Sequence, residues 1–114
     1  MKIFITGTSG FIGSRLAEKL VRDNHEVIVL IRDMSKAYEY TNIRINVISG
    51  DIFDTHKLTT GMKDCDWVFH LAAFTKPSSK DSDLSYRTNV TGTINVIESA
   101  RETRVKKVII TSSA

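Results

Sequence analysis

The sequence predicts an α/β fold, a Rossmann-like, doubly wound parallel sheet of five strands in the order 3-2-1-4-5. Two observations lead to this prediction. Short apolar runs alternate with polar or amphipathic segments along the 114 residues, which is typical of β-α-β units joined by right-handed crossovers. The first run ends in a glycine-rich turn, TGTSGFIG at residues 6–13, and such a turn typically follows the central strand of such a sheet.

Most of the strands are predicted where apolar residues follow one another without a break. Uninterrupted apolar runs are typical of strands buried on both faces of a parallel sheet, because helices cover each face. The predicted strands are residues 2–6, 26–31, 45–49, 66–71 and 107–111.

Two shorter helices are predicted from apolar spacing and from residues suited to cap them. The first runs from Phe11 to Arg22 and begins directly after the glycine-rich turn. The second covers residues 55–62, with Asp54 or Thr55 available as its N-cap. The apolar stripe of the first helix consists of Ile12, Leu16, Ala17 and Leu20.

A longer helix is predicted over residues 83–103, with Asp81 or Ser82 as its cap. We expect residues 32–44 to be irregular with one helical turn, and residues 74–82 to form a loop. The residues expected to face inward on the long helix are Leu84, Val90, Ile94, Ile97 and Ala100.

Composition indicates a soluble globular domain, since 41% of the residues are hydrophobic and 25% are charged. No apolar stretch approaches the ~20 residues of a membrane span, so we expect no membrane partner. The apolar run at the N-terminus is too short for a signal peptide. The single cysteine, Cys65, cannot form an internal disulfide. We therefore expect a cytoplasmic location.

The net charge of +3 does not by itself indicate a nucleic-acid partner. Its basic residues are scattered apart from one small group near the end of the long helix, where cations complement the helix dipole. No nucleic-acid motif accompanies them, so we expect a solvated helix end and no nucleic-acid binding. The group consists of Arg101, Arg104, Lys106 and Lys107.

The glycines of the turn have separate predicted tasks in holding the pyrophosphate of a dinucleotide at the start of a helix. Gly7 supplies the tight turn, Gly10 lets the backbone approach phosphate, and Gly13 lets the helix pack closely on the sheet. An ordinary strand–helix turn is the alternative, but the strand–turn–helix context favours binding. The predicted contacts in this turn are Gly7, Ser9, Gly10, Phe11, Ile12 and Gly13.

Five motifs, in order along the chain, resemble one known family. They are TGTSGFIG, GDI at 50–52, HLAA at 70–73, NVTGT at 89–93 and TSSA at 111–114. Together they resemble the extended short-chain dehydrogenase/reductases, the NAD-dependent epimerase/dehydratase group. The resemblance spans the whole chain and implies a dinucleotide cofactor and an oxidoreductase, epimerase or dehydratase activity.

The GDI and NVTGT motifs carry two predicted polar contacts to the cofactor. Asp51 follows the third strand, at the edge where ligands bind in such sheets. The resemblance implies that Asp51 accepts the adenine amino group, with Ile52 beside the ring. A turn or helix-cap role is the alternative for Asp51. The resemblance also implies that Asn89 contacts the cofactor, the alternative being an exposed helical asparagine.

The HLAA motif follows the fourth predicted strand. Small residues there leave room for the cofactor ribose, so Leu71, Ala72 and Ala73 are predicted to line the site. For His70 we prefer a buried, hydrogen-bonded structural role over catalysis. No spacing of Cys, His and Asp resembles a zinc site, so no metal is expected.

The end of the second strand predicts the choice between the two nicotinamide cofactors. An acidic residue at this position usually binds the ribose 2′-hydroxyl of NAD, whereas an arginine meets the 2′-phosphate of NADP. Alignment by strand length puts Ile31 at this position and Arg32 after it. We therefore predict NADP in preference to NAD. Asp33 is the opposing feature, since it can pair with Arg32 or bind the ribose itself.

The resemblance implies a catalytic serine, tyrosine and lysine, of which the chain carries the serine. Ser113 matches it, and Ser112 is the alternative one residue earlier. Tyrosine and lysine occur in the family as Tyr-x-x-x-Lys. The residues four positions after Tyr38, Tyr40 and Tyr86 are Asn42, Arg44 and Val90, so the pattern is absent.

We therefore expect residues 1–114 to form an incomplete NAD(P)-binding Rossmann domain, truncated after the fifth strand and without the substrate-binding part. The expected activity concerns a nucleotide sugar or a related alcohol or carbonyl compound. We expect a substrate to bind only to the full-length enzyme and this chain alone to be inactive. The alternative is a non-catalytic, redox-sensing dinucleotide-binding module. The 83–103 helix is the candidate surface for a homodimer.

Overall fold

The computed structural model of the chain describes residues 1–6, 11–40, 44–71 and 82–111. These residues form a parallel sheet of five strands in the order β3-β2-β1-β4-β5, which confirms the predicted fold class and topology. The strands are β1 (Lys2–Thr6), β2 (Glu26–Ile31), β3 (Ile45–Ser49), β4 (Trp67–His70) and β5 (Lys107–Ile110).

Three α-helices and one short 3₁₀ helix connect these strands within the described ranges. They are α1 (Phe11–Arg22), α2 (Thr55–Met62), α3 (Ser82–Glu102) and the 3₁₀ helix Met34–Glu39. Asp54 is the N-cap of α2, because its carboxylate accepts the Lys57 N–H at 3.1 Å. No helix in the described ranges is long and apolar enough to cross a membrane.

The core lies in two layers, one on each face of the sheet. Successive side chains of β1 point to opposite faces, so Ile3 and Ile5 pack in one cluster with Ala17 of α1, whereas Phe4 packs in the other with Leu58 of α2. All of these side chains are fully buried. Burial on both faces explains why the central strands β1 and β2 are rich in consecutive apolar residues.

The inward face of α3 differs from the prediction. Val90, Ile94 and Ile97 are 40–52% exposed, so the prediction that they face inward is wrong. The face that packs on α2 and β4 consists instead of small and medium residues, which let the helix approach closely. The buried residues of this face are Gly92, Val96, Ser99 and Ala100. Ala100 was predicted correctly, and the Leu84 side chain lies outside the described part of the chain.

Asp66 ties three strands together at the amino edge of the sheet. Its N–H donates to the Lys2 carbonyl at 2.7 Å, and its own carbonyl accepts the Lys106 N–H at 2.9 Å. The Asp66 carboxylate accepts the Lys2 N–H at 2.9 Å and lies 3.7 Å from the Lys106 ammonium. This backbone hydrogen bond, more than Lys106, lowers the pKa of Asp66. These contacts fix the register of β1, β4 and β5, and therefore which residues meet at the opposite edge.

Candidate functional site

The carboxyl ends of the strands meet at one edge of the sheet, where ligands bind in doubly wound folds. The register pairs Thr6 of β1 with His70 of β4, and Ile31 of β2 with Ser49 of β3. Because the strands are parallel, the segments that follow them leave the sheet on the same side. The motif at 50–52 and the first two residues of the HLAA motif, His70 and Leu71, therefore lie at one edge of the sheet.

Helix α1 begins at this edge, at Phe11. Gly13 is buried in its first turn, as expected for a glycine that lets the helix pack on the sheet. Ile12 is 73% exposed, so it does not belong to the apolar stripe predicted for this helix. Gly7, Ser9 and Gly10 lie outside the described residues, and their contacts with pyrophosphate stay predictions.

Strand β2 ends at Ile31, as predicted, and leaves Arg32 exposed at the edge. Arg32 makes no ion pair within the described ranges. Asp33 caps the 3₁₀ helix, since one of its carboxylate oxygens accepts the Ser35 N–H at 3.0 Å and the Ser35 hydroxyl at 2.6 Å. That oxygen is therefore engaged locally rather than with Arg32.

The loop after β3, residues 50–53, is held by its own hydrogen bonds. The Gly50 N–H donates to the Ile31 carbonyl at 3.0 Å. One carboxylate oxygen of Asp51 accepts the Phe53 N–H at 2.8 Å, which is the turn role considered for this residue. The helix cap is Asp54 and not Asp51. The second oxygen of Asp51 makes no hydrogen bond within the described part of the chain, so it is available to a ligand donor.

Two residues of α3 that sequence reasoning missed hold this loop. The Asn95 side-chain amide donates to the Ile52 carbonyl at 3.1 Å, and Ile52 packs over Gly92. Gly92 and Asn95 are three residues apart and lie on one helix face, and this spacing is the signal available in the sequence. Asn89, one turn earlier, is exposed, and its contact with a cofactor stays a prediction.

His70, the last residue of β4, is buried against α3, with 3% of its surface exposed. Its Nε2 lies 3.2 Å from the Thr93 hydroxyl oxygen, as expected for a structural histidine. Its Nδ1 is buried without a partner in the described ranges, and so is the hydroxyl of Thr6 on the neighbouring strand. Burial lowers the pKa of His70 below its ordinary value of 6.5, because removal from water disfavours the charged ring.

Of the remaining predicted site residues, some are described by the structure and others lie outside the described ranges. Leu71 is buried, and its N–H donates to the Thr6 carbonyl at 2.7 Å, which closes the end of β4. Ala72, Ala73, Ser112 and Ser113 lie outside the described residues. In the described ranges, no three His, Cys, Asp or Glu side chains are arranged to hold a metal ion.

The chemistry of the edge fits a dinucleotide. It offers a carboxylate oxygen with spare capacity at Asp51, an exposed cation at Arg32 and an exposed apolar side chain at Ile12. An amino group, an anionic phosphate and an apolar ring surface are the complementary ligand groups. A separate open cleft at the amino edge, lined by Asn24, His25, Glu26, Arg44 and Asn46, contains none of the predicted site residues.

Comparison with known proteins places these features in a family context. Residues 3–114 match the model of the NAD dependent epimerase/dehydratase family. Human sterol-4-alpha-carboxylate 3-dehydrogenase, decarboxylating, is 36% identical over 110 residues, which are 96% of this chain and 28% of that protein. The chain spans about a third of the length of the curated relatives it matches.

Two solved structures illustrate the structural likeness. UDP-glucose 4-epimerase from Thermotoga maritima, solved with UDP-glucose, has a TM-score of 0.82 and 29% identity, covering 99% of this chain and 38% of that one. The Bordetella bronchiseptica enzyme WbmH, solved in complex with NAD+, has a TM-score of 0.77 and 29% identity, covering 94% of this chain and 37% of that one.

Proposed function

Because the chain belongs to the NAD dependent epimerase/dehydratase family, we propose that it binds a nicotinamide dinucleotide at the carboxyl edge of its sheet. It is the cofactor-binding portion of an oxidoreductase, epimerase or dehydratase that acts on a nucleotide sugar or a related alcohol or carbonyl compound. The observation that carries this proposal is the second carboxylate oxygen of Asp51, which makes no hydrogen bond in the described ranges and lies at the same edge of the sheet as the start of α1 and the exposed Arg32.

Each group of predicted residues has a proposed task. The turn residues Gly7, Ser9 and Gly10, with the start of α1, hold the pyrophosphate. Asp51 and Ile52 hold the adenine. Leu71, Ala72, Ala73 and Asn89 line the remainder of the cofactor site. When bound, a nicotinamide dinucleotide supplies a hydride donor or acceptor, and the chain's own residues bind and orient it.

We propose that the cofactor is NADP rather than NAD. Arg32 is exposed and has no ion-pair partner in the described ranges, whereas an Asp33 oxygen caps the 3₁₀ helix. A guanidinium at the end of the second strand suits a ribose 2′-phosphate. Because a hydrogen bond to a charged group contributes about 1.5–3 kcal/mol, loss of Arg32 weakens NADP binding roughly tenfold to a hundredfold.

Calorimetric titration of the full chain with NADP and NAD tests this preference. Arg32→Ala is expected to weaken NADP binding and to leave NAD binding nearly unchanged. Arg22→Ala is the matched control, since Arg22 is an exposed arginine at the far end of α1. Equal or tighter binding of NAD by the wild-type chain contradicts the NADP proposal. Absence of binding by either dinucleotide contradicts the proposed function.

We propose that these 114 residues bind cofactor without turning over a substrate. Ser113, or Ser112, is the proposed hydrogen-bond donor to the reacting oxygen, but the chain contains no Tyr-x-x-x-Lys to transfer the proton. Substrate binding is then a property of the full-length enzyme. Detectable reduction of a ketone substrate by this chain with NADPH alone contradicts the proposal.

A second candidate function is a redox-sensing module that binds dinucleotides without catalysis. Such a module distinguishes oxidised from reduced cofactor, whereas an enzyme binds both in its cycle. A difference of tenfold or more between the affinities for NADP+ and NADPH favours the sensor. A Tyr-x-x-x-Lys encoded within some tens of codons downstream of Ala114 favours the enzyme.

We propose a cytoplasmic location, consistent with one cysteine that is buried and free.

We further propose that α3 contributes to a homodimer. Val90, Ile94 and Ile97 form an exposed aliphatic ridge at i, i+4 and i+7, which is the spacing of helix–helix contacts. Sedimentation of wild-type and Ile94→Glu full chains tests this, since a dimer is expected to dissociate only in the variant.

A further inference from the structure

We propose that Asn95 and Gly92 of α3 are positioning residues for purine recognition, acting through the loop at residues 50–53. This inference rests on the proposed function, because it assumes that the dinucleotide's adenine binds at Asp51. Helix α3, and not only the sheet, then determines where the Asp51 carboxylate points.

The loop's own hydrogen bonds fix part of its structure. The Gly50 N–H bonds to the end of β2, and the Phe53 N–H bonds to the Asp51 carboxylate. These bonds orient Asp51 relative to the loop, but they do not attach Ile52 to the body of the protein. The Ile52 N–H makes no hydrogen bond within the described part of the chain, which places a free donor beside the spare Asp51 acceptor. Adenine presents an acceptor, N1, beside a donor, its amino group, and is complementary to this pair.

Helix α3 supplies the missing attachment through one polar contact. The Asn95 amide donates to the Ile52 carbonyl at 3.1 Å, across 43 residues of sequence. A peptide group held at its carbonyl also has its N–H direction fixed, because the peptide bond is planar. The hydrogen bond therefore orients the peptide that joins Ile52 to Phe53, and through it the turn that Asp51 closes.

Gly92 supplies the second contact by having no side chain. A Cβ built on Gly92 would collide with the Ile52 Cδ1 and would lie 2.8 Å from its Cγ1. Ile52 therefore occupies space that only a glycine leaves open. Ile52 is half-buried, so a larger residue at position 92 moves this side chain instead of breaking the core. The two contacts hold Ile52 by its backbone and by its side chain from one face of α3.

A ligand pair that differs in a single group tests the inference on the full chain. One ligand is the adenine dinucleotide, and the other is the analogue in which purine replaces adenine, so that only the amino group is lost. Because a hydrogen bond to a charged acceptor is worth about 1.5–3 kcal/mol, the wild-type chain is expected to prefer adenine by about tenfold or more. Asn95→Ala, Asn95→Asp and Gly92→Ala are each expected to reduce this preference to about threefold or less.

The controls separate positioning from general damage. Asn46→Asp is matched to Asn95→Asp, since Asn46 is an exposed asparagine near the start of β3, and it is expected to keep the full preference. Thermal unfolding identifies any variant that fails to fold. Amide exchange at Phe53 is expected to be faster in the Asn95 variants without ligand, because the bond to Asp51 opens more often.

The outcomes distinguish the inference from the proposed function. Reduced preference in the folded α3 variants, with faster Phe53 exchange, supports the positioning role. Wild-type binding with an unchanged preference in folded variants overturns the positioning role alone. No binding, or no adenine preference, in the wild-type chain overturns the proposed adenine site and the positioning role with it. If Asn95→Ala and Asn95→Asp both unfold, an unchanged preference in Gly92→Ala overturns the inference.

Discussion

Gly61→Ala is predicted to destabilise the protein, although alanine is the better helix former. Gly61 is buried in the last turn of α2 and faces the ring of Phe4 in β1. A Cβ at this position would overlap the Phe4 Cε2 and would lie 3.1 Å from Cζ and 3.2 Å from Cδ2. Phe4 is fully buried, so its ring cannot move aside into solvent.

The magnitude follows from two opposing effects. Replacing glycine by alanine inside a helix stabilises it by up to about 1 kcal/mol. Forcing an extra carbon into a packed core costs about 1–3 kcal/mol. The steric effect is the larger because the colliding atoms belong to a rigid and fully buried aromatic ring. We therefore expect a net loss of about 1–2 kcal/mol, which corresponds to about 4–8 °C in Tm for a domain of this size.

Equilibrium urea unfolding of the full chain measures the effect. Thr60→Ala is the control, since Thr60 is exposed on the same helix, and it is expected to change stability by less than about 0.5 kcal/mol. Phe4→Leu removes the colliding ring, so it is expected to make Gly61→Ala less costly by about 1 kcal/mol in the double variant. A Gly61→Ala protein as stable as the wild type, or effects that simply add, would refute the reasoning.

Three further predictions concern single titratable groups. Because burial lowers the pKa of His70, the unfolded chain binds the proton more readily. The contribution of neutral His70 to the free energy of unfolding is then fully present above pH 6.5 and falls as the pH drops below that value, by up to about 1.4 kcal/mol per pH unit. His70→Gln is expected to flatten the plot of the free energy of unfolding against pH between pH 5 and about 6.5. An unchanged slope of this plot contradicts the prediction. The pKa of Asp66 lies below its usual 3.8, so the stability from its hydrogen bond to Lys2 is present above that value and is lost as the pH falls through the folded pKa; Asp66→Asn should remove this acid-sensitive component from the same curves. Burial raises the pKa of the Cys65 thiol to about 11, so it should resist a thiol reagent at pH 8 until the protein unfolds, and rapid labelling of the native chain would count against its burial.

Local sequence patterns were sufficient to predict the helices and strands and the order of the strands in the sheet. Most strands are uninterrupted apolar runs and the breaks between elements are marked by glycine or polar residues, so the bounds of α1, α2, β1, β2 and β3 follow directly from the sequence. The order of strands follows because right-handed crossovers leave few topologies for alternating strands and helices. The carboxyl edge, with Arg32 and Asp51 on it, then follows from parallel pairing.

The inward face of α3 and the attachment of the GDI loop depended on tertiary packing. Periodicity assigned Val90, Ile94 and Ile97 to the core because large aliphatic residues usually face inward, but α3 packs through Gly92 and Ala100. Which face of a helix turns inward depends on the shape of its neighbours when both faces contain apolar residues.

The hydrogen bond of Asn95 and the burial of His70 also depend on contacts between segments that are distant in sequence. The hydrogen bond from Asn95 to Ile52 spans 43 residues, and His70, whose Nδ1 is buried, pairs in the sheet with Thr6, which is 64 residues earlier in the chain. The sequence by itself determined which segments form strands, in what order, and which motifs meet at one edge, because these depend on local hydrophobicity and chain handedness. Only the tertiary structure decided which side chains fix those motifs in place, because that depends on contacts between segments distant in sequence.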